Sequence, residues 1–228
     1  MPNRKDVSLN ISTFDMNPYL PKSLIEEYEG YKDTNPEAWK VYGEGEWAKL
    51  TGLVYPLWEY WDIEKPEGST VYGLDFGYNH ASALVRVTKT EDKKLYWEEI
   101  LYEYKLTPVD IAKWLTSHNF SKSHLIVADD SRPDAIEDIK RAGFRIMAAK
   151  KRRVKARIDI VKSYKLFFKG NNLTAEAKMY RWKEDDENFE GNREGLSDEP
   201  IKKFDDAMDA AGYASLRLHR KNKFKVIG

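Results

Sequence analysis

Three groups of aspartates stand at places where an acid is not needed for folding. Asp75 ends the apolar run TVYGLDF just before a glycine turn, Asp129 and Asp130 end the run HLIVAD, and Asp205, Asp206 and Asp209 crowd the start of an amphipathic segment near the carboxyl end. Acids at the carboxyl ends of neighbouring strands face the crevice where ligands bind in α/β sheets. Three carboxylates meeting there repel one another unless cations neutralise them. Oxygen-only donors with open positions suit Mg²⁺ or Mn²⁺, and two such ions about 4 Å apart clamp the attacking and leaving oxygens of a phosphodiester.

Each acid also has a plainer reading. An aspartate at a strand end commonly forms a turn, and Asp130 is placed to cap a helix beginning near Pro133, which leaves Asp129 as the inward acid. Asp205 and Asp209 are four residues apart on the flank of an apolar stripe, a like-charge pair that destabilises an isolated helix, while Asp206 is expected to point further toward solvent.

The surrounding elements are legible from periodicity. TVYGLDF, SALVRVT and KLYWEEILYEY read as three strands joined by two hairpins. Thr107, Pro108 and Asp110 form a capping box opening a helix. HLIVAD is a buried strand, RPDAIEDIKRAG a helix closed by Gly143, FRIMAA a further strand and KARIDIVKSYKLFF a helix. Residues 171–199 are polar, with a hairpin expected among their turn signals. In the last segment Ile201, Phe204, Met208, Ala211, Ser215 and Leu218 share one stripe of an amphipathic helix. Together these predict an α/β fold with a mixed central sheet flanked by helices, in the element order of ribonuclease-H-like domains. Residues 1–68 read as a strap with a short helix over 23–32 and a turn at Asn35-Pro36, anchored by Trp58 and Trp61; residues 69–220 are the main domain and 221–228 a tail.

At 228 residues, with 41% hydrophobic and 13% aromatic content, the chain can bury a real core. Its 38 basic and 38 acidic residues cancel, so attraction for a polyanion has to be local. The absence of cysteine excludes disulfide frameworks and cysteine-ligated zinc. Neither a signal-peptide core nor an apolar run near 18 residues is present, which predicts a soluble intracellular protein without membrane contact. The local basic cluster is RIMAAKKRRVKAR, holding Arg145, Lys150, Lys151, Arg152, Arg153, Lys155 and Arg157. Such a run can track a phosphate backbone without reading bases, or form a solvated surface. His80, His118, His124 and His219 show no paired metal spacing, and the YNHAS turn suits a surface role for His80.

YGLDFGYNHASALV, IVADDSRPDAIEDIKRAGF and KKFDDAMDAAGYA resemble, in order and spacing, the three acidic motifs of the nuclease domain of viral large terminase subunits, the genome-packaging motors of tailed bacteriophages. TFDMNPYLPKSLIEEYEGYK and WKVYGEGEW resemble the segment that leads from the ATPase region of those proteins into the nuclease. The resemblance implies metal-dependent endonucleolytic cleavage of double-stranded viral DNA concatemers with little sequence specificity. Asp75, Asp129 and Asp209 fall on the metal-binding acids holding two Mg²⁺ or Mn²⁺ ions, and Asp206 on an assisting catalytic position. It also implies DNA contact from Lys150 or Lys151, within the basic run whose Lys150, Lys151, Arg152, Arg153 and Lys155 are expected to follow the phosphate backbone. It implies assembly with an ATPase portion, a portal and a small terminase subunit, and a location in the host cytoplasm. Two departures stand out: Asp130 occupies a position that is often serine, leaving the choice between Asp129 and Asp130 open, and Gly212 stands where arginine is common.

No Gly-x-x-x-x-Gly-Lys-(Ser/Thr) occurs, so ATP binding through a P-loop is not expected. Three other readings compete. LDFGYNHAS also resembles the first phosphate loop of actin-like and sugar-kinase ATPases, although the second Asp-x-Gly loop is missing. A non-catalytic DNA-clamping module would use the acids for structural cations only. A junction resolvase would share the fold and prefer four-way substrates.

Overall fold

A computed structural model describes residues 12–34, 39–40, 42–45, 52–62, 66–150, 152–184 and 196–221. The chain divides into two compact units, Met1–Thr51 and Gly52–Gly228. In the first, helix α1 (Lys22–Thr34) carries Tyr28 and Tyr31 into a ring cluster in which Tyr28 and Tyr42 stack with centroids 5.3 Å apart. The Asn35-Pro36 turn lies outside the described residues.

The second unit is built on a seven-stranded sheet in the order β1-β7-β4-β3-β2-β5-β6. Strands β2 (Ser69–Asp75), β3 (Ala81–Lys89) and β4 (Lys94–Tyr104) form the expected antiparallel pair of hairpins. Parallel strands β5 (Ile126–Ala128) and β6 (Ile146–Ala148) extend the sheet beyond β2. On the other side β7 (Lys165–Lys169) and β1 (Glu59–Tyr60) add two more parallel pairings.

Both faces of the sheet are covered, which is why its central strands read as nearly continuous apolar runs. Helices α2 (Pro108–Ser117) and α3 (Pro133–Arg141) pack on the face of Tyr72, Leu74, Leu84 and Ile126. Helices α4 (Val154–Lys162), α5 (Asn171–Met179) and α6 (Asp206–Lys221) cover the face of Val71, Val85, Trp97 and Val127. The Thr107–Asp110 capping box forms as the sequence predicts, each side chain accepting from the other residue's backbone N–H.

Several elements differ from expectation. The helix read over KARIDIVKSYKLFF ends at Lys162, and Lys165–Lys169 is strand β7, because Phe168 fills the sheet core between Trp58 and Trp97. The polar stretch 171–199 opens with α5 before its hairpin, β8 (Trp182–Glu184) with β9 (Leu196–Pro200). The last helix starts at Asp206, since Phe204 takes a left-handed φ of 53° and Ile201 is 36% exposed; Met208, Ala211, Ser215 and Leu218 keep the buried stripe.

Residues 52–62, assigned to the strap on composition, sit with the sheet unit. Val54 and Tyr55 are buried in its core, Trp58 stacks on Phe168 and the Trp61 indole N–H donates to the Trp97 carbonyl. Among the described residues no helix is long and apolar enough to cross a membrane.

Candidate functional site

Alternation along β2 puts Val71, Gly73 and Asp75 on the face beneath α6, with Tyr72 and Leu74 on the opposite face. Gly73 is required there: a Cβ would lie 1.7 Å from the Ala210 carbonyl oxygen, so only glycine lets the strand and helix backbones touch. Gly77, two residues beyond Asp75, allows the return into β3. A Cβ at that position would lie 2.3 Å from the Ala81 carbonyl oxygen, and Ser82 Oγ donates to the Gly77 carbonyl at 2.7 Å. The two glycines around Asp75 thus fix the height of its strand beneath the helix and the turn that follows.

Strand β5 runs parallel to β2 with Leu74 opposite Ala128, and the Asp129 N–H donates to the Leu74 carbonyl at 3.3 Å. Asp75 and Asp129 therefore stand at adjacent carboxyl ends, and alternation from Val127 carries Asp129 to the α6 face. Ser131 Oγ donates to the Asp129 carboxylate. Asp130 does not cap α3: the N-cap is Arg132, two residues later, with no side-chain capping bond, so Asp130 stands too early in the turn.

Helix α6 brings the third group. The Asp209 N–H donates to the Asp205 carbonyl at 2.7 Å, which makes Asp205 the N-cap and puts Asp209 one turn inside. Asp209 is ion-paired with Arg157 of α4, whose guanidinium also lies 4.9 Å from the Tyr213 ring centroid. Gly212 makes room for it, since a Cβ there would be 2.8 Å from Arg157 Nε. Asp206 is partly buried rather than solvent-directed, and lies within the influence of the Ala81 N–H and of His80, itself exposed.

The electrostatics are those of crowded acids. Burial, then Asp209, Asp206, Asp129 and Asp205, push the Asp75 carboxyl well above the usual carboxylate range. Among the described residues no hydrogen bond or ion pair reaches the Asp75 carboxylate. Asp209 is also raised by burial, against the pull of Arg157 and Lys202, and Asp205 is pushed up to about 6 by burial and then by Asp209 and Asp206. Burial raises Asp206 against His80 and the Ala81 N–H. No three acids or imidazoles, as placed among the described residues, close around one ion. Asp209 meets the Arg157 guanidinium.

A cleft of about 190 Å³ opens beside these strand ends, lined by Asp129, Asp130, Asp209, Lys150, Arg152 and Arg157 among others; Asp75 lies outside its lining. The basic run thus divides. Lys150 and Arg152 face the cleft, Arg153 is exposed at the N-cap of α4, and Lys155 lies 5.9 Å from the Trp182 ring. Lys151 lies outside the described residues.

One acid escaped sequence reasoning. Glu176 of α5 is 2% exposed, and its Oε2 accepts from the Ala207 N–H at 2.9 Å and the Met208 N–H at 3.1 Å. It caps the first turn of α6 from another helix. The only signal was an acid within AEAKM, hidden in a stretch that reads as turns.

Comparison with known proteins agrees with this architecture. Residues 2–46 match the family Phage terminase large subunit. The PBSX phage terminase large subunit of Bacillus subtilis is 29% identical over 160 residues, 64% of this chain but 36% of that protein, so the chain spans about a third of that relative's length. The nuclease domain of the large terminase g2p from bacteriophage SPP1, solved with bound Mn, superposes with a TM-score of 0.60 at 22% identity over 73% of this chain and 99% of that one. The P22 large terminase nuclease domain gives 0.57 at 18% identity over 74% and 93%. The fold is ribonuclease-H-like, and the resemblance to terminase large subunits read from the acidic motifs holds in sequence and in fold.

Proposed function

We propose that the sheet unit is a divalent-metal-dependent endonuclease acting on double-stranded DNA during phage genome packaging. The observation that carries this is Asp75: a crowded carboxylate with four acidic neighbours and, among the described residues, no hydrogen bond and no ion pair, beside Asp129 at adjacent strand ends. That donor set fits Mg²⁺ or Mn²⁺, whose binding would remove the repulsion. The SPP1 nuclease domain, of the same fold, was solved with bound Mn.

Asp75, Asp129 and Asp209 would hold the ions, two in number, with Asp130 at the cleft as the alternative to Asp129. Bound there, the ions would supply an activated water and stabilise the leaving oxygen of a phosphodiester. Asp206, at the head of α6, would assist as an extra ligand or by holding a ligand in place, with Asp205 beside it the lesser candidate. Lys150, Lys151, Arg152, Arg153 and Lys155 would hold the phosphate backbone without reading bases, which accounts for cleavage with little sequence preference. The substrate would be concatemeric viral DNA in the host cytoplasm, and the ATPase portion, portal and small subunit of the packaging motor would be the partners.

Plasmid nicking in Mn²⁺ tests the reading. The wild-type protein is expected to cut and Asp75→Ala to lose at least about 100-fold in rate, in line with removal of a principal electrostatic group. Equal nicking by the two would overturn it. The Arg157–Asp209 pair favours a second reading, a non-catalytic DNA clamp in which Asp209 is already neutralised and the other acids bind structural cations only; retained DNA binding with no cutting in any divalent ion would establish that instead.

A further inference from the structure

The cleft beside the acids has a second wall that the basic run of the sequence does not contribute. Asp209, Tyr213 and Arg217 are spaced four residues apart along α6, and all three line the cleft. Lys202, just before the helix, lines it too. Opposite, from the segment after β6, come Lys150 and Arg152. Among the described residues the side chains of Lys150, Arg152, Lys202 and Arg217 make no hydrogen bond or ion pair, although Lys202 lies within the electrostatic reach of Asp205 and Asp209. Arg217 is the most telling of the four: it is partly buried, and its Nε is shut off from water with no hydrogen-bond partner.

A buried donor without a partner costs free energy that a solvated surface cation does not incur, and a bound anion at the cleft is one arrangement that would recover it. The nearest acids on the same wall do not serve, because Asp209 is taken by Arg157. A fork of guanidinium N–H groups matches the oxygens of a phosphate bidentately, as it does a carboxylate, and on the nuclease reading the anion that enters this cleft is a phosphodiester. The rise of 1.5 Å per residue puts Arg217 roughly 12 Å along the helix from Asp209. That distance is too long for the phosphate being cut and suits one a nucleotide or two away.

From this we infer that Arg217 and Lys202 form a phosphate-binding subsite along the cleft wall that spans Asp209, Lys202 before it and Arg217 beyond it, and that with Lys150 and Arg152 this subsite grips the nucleic-acid backbone flanking the reacting phosphodiester. The inference rests on the nuclease reading for the identity of the polyanion. The subsite itself recognises any phosphodiester chain, and it makes Arg217 a positioning residue rather than a catalytic one. It sits one helical turn beyond Tyr213, so its contact sets where along the duplex the acids fall.

The test compares wild type, Arg217→Gln and Lys202→Gln in the full chain. Binding to a duplex of random sequence is measured in EDTA as a function of salt, and nicking in Mn²⁺ is followed separately. Each substitution is expected to weaken binding about 5- to 20-fold and to lower the slope of log K against log salt by about 0.9. For Arg217→Gln, KM for DNA should rise with kcat little changed, while Mn²⁺ affinity measured by calorimetry stays as in wild type. Unchanged slope and affinity in both variants overturns the subsite, even where wild type cuts DNA. If the slopes fall as expected but wild type fails to nick in Mn²⁺, the subsite stands and the nuclease reading fails. Should Arg217→Gln not fold, Lys202→Gln and Arg217→Lys, which keeps the charge and loses the fork, decide: a full slope with weakened affinity in Arg217→Lys supports the fork, and wild-type affinity in both sinks it.

Discussion

Arg157 holds the balance at the level of single residues. Its side chain is 9% exposed and that of Asp209 22%, and the two are ion-paired over the space left by Gly212. Removing one partner of such a pair leaves a charge stranded in a poor solvent, at a cost of about 3–5 kcal/mol. Arg157→Met is therefore expected to lose on the order of 3 kcal/mol in EDTA, moderated by protonation of Asp209. Excess Mn²⁺ should return most of that loss, because a cation on the acids takes over the role of the guanidinium and stabilises only the folded state. Chemical denaturation with and without Mn²⁺ measures both. An equal deficit in the two conditions would mean that Asp209 meets no ion. The acids themselves were legible because each interrupts or ends an apolar run. Arg157 was visible only as one more cation in a basic run, since nothing local says that it alone turns inward to Asp209.

At the scale of elements, the position of α6 decides what the acids can do, and that position is set from outside the helix. Glu176 caps its first turn, and Gly73 lets it lie directly on β2. Burial pushes the Glu176 carboxyl up to about 9, from an ordinary 4.5. The folded protein then binds a proton at this site more tightly than the unfolded chain does. The resulting stability is complete below pH 4.5, declines as pH rises and is gone above about 9. Glu176→Gln keeps an oxygen for the Ala207 and Met208 N–H groups and cannot ionise. In EDTA its urea midpoint should gain on wild type steadily from pH 7 to pH 9, and parallel curves would show that Glu176 is not the titrating group.

Helices and strands with a strong period, such as β2 to β4, α2 and the buried stripe of α6, could be read from residue spacing. Strand β7 and helix α5 could not. Five residues between Lys165 and Lys169 are a strand because β4 and β1 pair on either side, and Gly170-Asn171-Asn172 signals a turn whichever element follows. Tertiary partners settled both, and no local propensity reports them.

For the whole molecule the decisive fact is a net charge of zero. A protein of this kind has no long-range field to gather DNA, so affinity has to come from the cations placed side by side. Lys150 and Arg152 face the cleft, whereas Lys155 lies against the Trp182 ring and Arg153 is exposed at the head of α4. The double substitution Lys150→Gln with Arg152→Gln removes two cleft cations and should lower the salt slope of duplex binding by about 1.8, at about 0.9 for each phosphate contact. The control is Lys155→Gln, for which the ring contact predicts a smaller change. Fluorescence anisotropy across a range of salt gives the slopes. Equal effects from the cleft pair and from Lys155 would mean that the duplex lies over the outer face of α4 and not along the cleft, and the acids would then have no phosphodiester within reach.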